Sequence, residues 1–139
     1  MNYLLDTCVI SELVAKQPNP QIIAWIDGIE EARLHLSVIT LGEIQKGIEK
    51  LPDSERKTRL ETWLNEELLR RFANRIVLID TDVMLKWGKL IGTFEKVGKP
   101  ISAIDSLIAV IALHNNFILV TRNEAGFENA GISIFNPWQ

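Results

Sequence analysis

The sequence holds a single cysteine, Cys8, and only two histidines in 139 residues. One thiol excludes any disulfide within the chain, and its apolar surroundings mark it as a buried, inert group in a reducing compartment. His35 and His114 lie far apart in different elements, so a zinc site of paired cysteines and histidines is excluded and both are read as structural. No apolar run approaches the roughly 18 residues that suggest a membrane span. The opening MNYLLDTCVI lacks a positive leader and places Asp6 inside its short apolar run, which argues against a signal peptide. A cytoplasmic protein is expected. An excess of positive charge is missing too: 15 basic against 18 acidic side chains leave a formal −3. Any phosphate-bearing partner must therefore be gripped locally, not by bulk charge. Internal repeats, low-complexity tracts and linkers are absent.

What remains is an ordinary globular composition, 47% hydrophobic and 24% charged, of a length that suits one domain over residues 1–139. Strand-length apolar runs alternate with segments of helical period, the mark of an α/β domain on a mainly parallel sheet. Strands are expected at 3–5, 34–37, 76–79 and 117–121, with a short fifth at 132–135. Helices are expected at 7–14, at 20–27 with Asn19 as N-cap and Pro20 first in the helix, and through Leu41, Ile44, Ile48 and Leu51. Three more follow at 54–71, 81–97 and 102–115. Leu60, Trp63, Leu64 and Leu68 of the 54–71 helix should face inward, and Trp25, Trp63 and Trp87 fall on apolar faces as core or interface. Trp138 is less constrained.

Function in an open parallel sheet collects at the carboxyl ends of the strands, where helices begin. Asp6 ends the first strand. Glu43 sits in the opening turns of the helix after the second. Asp105 is in the first turn of the last long helix, and Asn123 follows the fourth strand. Taken singly each has a bland alternative: Asp6 caps a helix, Thr40-Leu-Gly-Glu43 reads as a capping box, Ser102-Ala-Ile-Asp105 as a shorter version, and Asn123 as a turn residue. Taken together they place four oxygen-bearing side chains on one rim. Small neighbours, Gly47 below Glu43 and Ala109 and Ala112 below Asp105, leave both acids facing open surface. Carboxylates 4 Å apart repel by about 4 kcal/mol at an effective dielectric of 20, so such a cluster takes up a proton or a cation. Hard oxygen donors at helix N-termini favour Mg²⁺ or Mn²⁺.

The order Leu-Leu-Asp6-Thr7, Ser37-Val-Ile-Thr40-Leu-Gly-Glu43 with Gly47, Ile104-Asp105, and Val120-Thr121-Arg122-Asn123 resembles the PIN-domain nucleases. The small size and the ending Phe135-Asn136-Pro137-Trp138 resemble, more narrowly, the VapC/FitB-type toxins of bacterial toxin-antitoxin pairs. The resemblance implies a three-layer PIN-like α/β domain with a central five-stranded sheet, and Mg²⁺- or Mn²⁺-dependent cleavage of RNA phosphodiester bonds. By motif position Asp6 and Asp105 would be the main metal ligands and Glu43 a further one, direct or through water. Asn123 stands where many relatives carry Asp, Gly126 where many carry a second acid, and Cys8 where asparagine is common. Those departures bear on a second metal site more than on the first. Thr7, Thr40 and Thr121 would orient the acids or bound water, and Arg122, Lys46 and Lys99 would guide the strand. A homodimer is implied, as is a cognate antitoxin whose carboxyl-terminal segment lies across the toxin, with the hairpin at 40–71 forming part of its groove.

Three rivals keep a place. A phosphoacceptor signalling domain would use Asp80, but the first strand offers one acid where such domains want a pair. A haloacid-type phosphatase fails at Cys8, where its Asp-x-Asp-x-Thr motif needs the second aspartate. A PIN-fold binding module without turnover remains the strongest alternative because of Asn123 and Gly126.

Overall fold

In the computed structural model, which describes residues 1–128 and 130–139, five short strands form one all-parallel sheet in the order β3-β2-β1-β4-β5. They are β1 (Tyr3–Leu5), β2 (Leu34–Ser37), β3 (Ile76–Val77), β4 (Ile118–Val120) and β5 (Ile134–Phe135). The helices are α1 (Thr7–Glu12), α2 (Pro20–Asp27), α3 (Val38–Glu49), α4 (Glu55–Thr62), α5 (Leu69–Arg71), α6 (Thr81–Lys96) and α7 (Ala103–Asn115). A π-helical stretch, Trp63–Leu68, joins α4 to α5.

Alternation along the strands makes the three layers. Leu5, Leu34, Leu36 and Val120 point to one face, under α1 to α5, with Ile10, Ile22, Ile44, Leu68 and Phe72. Leu4 and Leu119 point to the other, under α6 and α7, with Val83, Ile108, Ile111 and Phe127. Successive strand residues thus feed two separate cores, as a sheet buried on both faces requires. Both β1 and β4 are paired on each side, β1 with β2 and β4. The chain builds outward from β1 in one direction and from β4 in the other, which makes the junction of β1 and β4 the topological switch point of the sheet.

Several boundaries differ from expectation, for physical reasons. The third strand stops at Val77 instead of 79 because its partner stops: Val77 pairs with Ser37, which already caps α3. Leu78 is therefore left exposed. Thr121, expected in the fourth strand, lies just outside it, although its N–H still donates to Phe135 O at 3.1 Å. The first helix ends at Glu12, two residues early, in 3₁₀-like turns. The long helix expected at 54–71 widens into the π-helical stretch, which keeps Leu64 and Leu68 buried on the sheet side. At the end of α6, Gly98 with φ 72° and the bonds Gly98 N–H to Glu95 O and Lys99 N–H to Phe94 O form a Schellman stop. That stop turns the chain back into α7, whose first turn carries Asp105.

Candidate active site

Asp6 stands at the switch point. Its N–H donates to Val120 O at 3.0 Å, which locks the end of β1 against β4. Its side chain caps α1: Oδ1 accepts the Thr7 N–H at 2.8 Å, and Oδ2 accepts the Thr121 hydroxyl at 2.8 Å. The residue is only 8% exposed. A hydrogen bond to a charged group contributes about 1.5–3 kcal/mol, and each Asp6 oxygen has one. Burial nevertheless prevails and holds the Asp6 carboxyl above the usual carboxylate range, with the negative charges of Glu43 and Asp105 pushing the same way.

Two threonines connect the neighbouring acid. The Thr7 hydroxyl donates to Glu43 Oε1 at 2.5 Å and lies 3.2 Å from the Thr40 hydroxyl. A hydroxyl has one proton, so with Glu43 taking that of Thr7, the Thr40 hydroxyl faces Thr7 as donor. Thr40 is buried inside α3, not at its cap as the capping-box reading had it. Ser37 is the cap, accepting the Thr40 N–H at 3.2 Å, which moves Glu43 into the second turn. Asp105 does follow its expected cap: its N–H donates to Ser102 Oγ at 3.4 Å, and the residue is half-buried.

Asn123 turns away from this arrangement. Its N–H donates to the Thr121 hydroxyl at 3.0 Å, while its side-chain Oδ1 accepts the Gly126 N–H at 3.2 Å. A Cβ at Gly126 would stand 2.4 Å from Asn123 Nδ2, so the glycine is what lets this turn close. The asparagine thus supports Thr121 through its backbone while its side chain serves the turn.

Three basic side chains expected to guide a strand are exposed and unpaired with the acids among the described residues. Among the described residues, none of the ion pairs involves Asp6, Glu43 or Asp105. Lys46 is exposed one turn beyond Glu43, Lys99 is exposed on the loop before α7, and Arg122 is exposed beside Thr121. Burial pushes the Cys8 thiol up and Asp6 adds to this, against the Arg122 backbone and guanidinium and the Thr121 hydroxyl. A groove of about 220 Å³ opens on the Glu43 side, lined by Thr7, Glu43, Gly47, Leu51, Arg56, Leu60 and Trp63 among others. Gly47 keeps it open, as nothing lies within 4 Å of the place its Cβ would occupy. Arg56 was not among the expected functional residues, since a charge on a mixed-sign helix gives no signal until the hairpin folds.

The donor set can be compared with a divalent cation. In kind it fits Mg²⁺ or Mn²⁺: carboxylate and hydroxyl oxygens, with no basic partner to neutralise them. In spacing it is loose. Among the described residues no three or more His, Cys, Asp or Glu side chains gather closely enough to hold a metal ion. Glu43 bears on Asp6 through Thr7 and through space, not by sharing a cage. Mg²⁺ commonly keeps several waters and takes one or two carboxylates directly, so a loose set of acids is compatible with it.

His35 stacks on Phe117 at 4.7 Å, with burial lowering its pKa, while Lys86 Nζ and His114 Nδ1 lie 2.8 Å apart. Trp25 packs on Tyr3 and Phe135, and Trp87 donates to Ser106 Oγ at 2.9 Å. Asp80, the rival phosphoacceptor, caps α6 by accepting the Val83 N–H at 2.9 Å.

Comparison with known proteins follows the same line. The chain is 38% identical over 136 residues to a plasmid stability protein, StbB, of Pseudomonas syringae pv. tomato, covering 98% of each. It is 36% identical to the VapC ribonuclease Y4jK of Sinorhizobium fredii, over 98% of this chain and 97% of that one. Its fold matches the crystal structure of FitAcB from Neisseria gonorrhoeae with a TM-score of 0.92 at 34% identity, covering 99% of each chain. The model of the PIN domain matches residues 3–132, and the chain therefore belongs to the PIN domain family.

Proposed function

We propose that the chain is a metal-dependent endoribonuclease toxin, neutralised by a cognate antitoxin, that hydrolyses RNA phosphodiester bonds at the rim around Asp6. The observation that carries this reading is Asp6 itself. It is a buried carboxylate with both oxygens fixed and two further acids acting on it, and among the described residues it has no cationic partner. Its hydrogen bonds cap α1, yet burial outweighs them and holds the carboxyl high, a cost that a bound cation would offset. The names of the relatives, a VapC ribonuclease and the toxin FitB of Neisseria gonorrhoeae, support the same class.

Asp6 and Asp105 would hold Mg²⁺ or Mn²⁺, with Glu43 reaching it directly or through water. When bound, such an ion supplies the positive charge that offsets the phosphate and the acidity that readies water for attack. The chain's own residues do the rest. Thr121 and the Thr7 amide fix the Asp6 carboxylate in one orientation, and Thr7 with Thr40 fixes Glu43. Arg122, Lys46 and Lys99 guide the strand past the acids, as local cations on a chain of net negative charge. Asn123 serves the reaction through Thr121, which its backbone supports.

The groove beside Glu43 is the proposed seat of an antitoxin segment. It runs from Thr7 and Glu43 to the apolar wall of Leu60 and Trp63, so one segment lying in it would cover the Glu43 side of the rim and hinder RNA. A homodimer of the chain, alone or within that complex, completes the proposed assembly.

The test is cleavage of RNA with Mg²⁺ or Mn²⁺. Loss of cleavage in EDTA, in Asp6→Ala and in Asp105→Ala is expected, together with growth arrest that the adjacent reading frame relieves. Cleavage that persists in EDTA contradicts the mechanism. A folded chain that binds RNA but never cuts it leaves the binding-module reading in its place.

A further inference from the structure

The carboxyl-terminal residues meet the site at one point. The Arg122 guanidinium carbon lies 5.0 Å from the centre of the Trp138 ring. That ring is half-buried against the core beneath α1 to α5. Three hydrogen bonds hold the turn that carries it: Gln21 Nε2 to Pro137 O at 2.7 Å, Asn136 Nδ2 to Glu124 Oε2 at 3.0 Å, and Trp138 N–H to Asn136 Oδ1 at 2.9 Å. A chain end normally frays unless something ties it down. Here it is tied to α2 and to the loop after β4, the loop that bears Arg122.

Stacking is a particular way to hold an arginine. A carboxylate partner would fix the guanidinium but use up its donors and cancel its charge. An aromatic face attracts the cation from above and leaves the N–H groups, which lie in the guanidinium plane, free for a bidentate anion. Arg71 and Arg75 provide the contrast within this molecule. Both also lie over an aromatic ring, Phe72, but their donors are taken by Glu31. Among the described residues Arg122 has no such partner. It also follows directly on Thr121, whose hydroxyl holds Asp6 Oδ2.

We propose that Trp138 is a positioning residue that holds Arg122 at the flank of the acidic rim, with its donors open to an RNA phosphate next to the scissile one. This rests on the nuclease reading above. The ring orients the guanidinium before the strand arrives, on the residue next to the Thr121 that holds Asp6, which lowers the ordering needed on binding.

Steady-state cleavage of a short single-stranded RNA by the full chain in Mg²⁺ or Mn²⁺ tests it. Trp138→Leu keeps an apolar filler and removes the π face. It should raise KM about two- to five-fold, the factor that an exposed cation–π contact represents, with kcat held within about two-fold. Trp138→Phe should restore most of the loss. On an Arg122→Ala background, Trp138→Leu should add nothing. A KM unchanged by Trp138→Leu, or raised equally with and without Arg122, overturns the proposal. If the leucine variant fails to fold, the same cycle run with Trp138→Met decides it, since that side chain also lacks a π face and should weaken RNA binding only while Arg122 is present. RNA affinity of Asp105→Asn carries the same cycle without turnover. A wild-type chain that never cleaves sinks the nuclease reading, while presence or absence of coupling in that affinity still decides the role of Trp138.

Discussion

Glu31 and Asp6 lie at opposite ends of the same parallel sheet, and the fold treats the two carboxylates in opposite ways. Glu31 precedes β2, at the amino end. Arg71 grips it with two bonds of 2.9 and 3.0 Å, and Arg75 adds a third at 2.9 Å. Arg75 also donates to the backbone carbonyls of Glu31 and Leu34 at 2.6 Å and to that of Arg71, tying the starts of β2 and β3 together. These bonds hold the Glu31 carboxyl below its usual range, the Arg71 guanidinium first among the causes. Asp6, at the carboxyl end, is more deeply buried and has hydroxyl and amide donors but no cation, and its carboxyl is held high. One end of the sheet satisfies its charge from within the chain. The other leaves its buried carboxyl without an ion-pair partner among the described residues.

The largest effect that can break this comparison is on RNA cleavage. Asp6→Ala and Asp105→Ala should each lower the rate by about 100-fold or more, the scale of losing several kcal/mol of electrostatic stabilisation, while Glu31→Gln leaves kcat unchanged. Equal losses at both ends would erase the distinction. Stability should run the other way. Arg75→Ala removes the donor to three carbonyls and Glu31 from a side chain only 15% exposed, and should cost about 2–3 kcal/mol by urea unfolding at pH 7. Asp6→Asn should leave the metal-free protein as stable as before or more so.

The pH dependence sharpens the same point. The Asp6 carboxyl is raised on folding, so its favourable contribution is complete below the ordinary value of 3.8 and is lost as pH rises through the folded value. Glu31 is lowered, so its contribution is present above 4.5 and is lost as pH falls through its folded value. Unfolding measured in EDTA should therefore show the advantage of Asp6→Asn over wild type growing as pH rises. The deficit of Glu31→Gln, no more than about 1 kcal/mol for a part-exposed group, should shrink as pH falls. A milder effect on cleavage than at the acids is expected at Thr121→Val, which removes one donor from Asp6 and should lower cleavage about ten-fold, the low end for such supporting contacts. Raising the pH should recover part of that loss, since the carboxyl then titrates still higher.

The two ends also differed in how far the sequence revealed them. Asp6 and Glu43 were legible because each closely follows a strand that hands over to a helix, and Asp105 because a helix that returns directly into the fourth strand must start at that same edge; these junctions are written locally in the apolar runs and caps. The pairing of Thr7 with Glu43 was legible only as proximity, because it depends on α1 packing against α3, 36 residues apart. Of the two readings of Thr40, cap or support for an acid, the cap fails because Ser37, three residues earlier, takes that place. The end of β3 depends on where β2 stops, a fact absent from the third strand's own residues. The Glu31, Arg71 and Arg75 network escaped notice because it joins segments 40 and 44 residues apart through charges that look like an ordinary solvated face. Trp138 over Arg122 is of the same kind.

The most direct measurement is the melting temperature of the protein against Mn²⁺ concentration, in wild type, Asp6→Asn and Glu31→Gln. A ligand that binds only the folded state stabilises it by RT ln(1 + [L]/Kd). Wild type and Glu31→Gln should therefore melt progressively higher as Mn²⁺ is added, and Asp6→Asn should stay flat. A wild-type curve that ignores Mn²⁺, or an Asp6→Asn curve that climbs as steeply as wild type, would contradict the assignment of that carboxylate to an external cation.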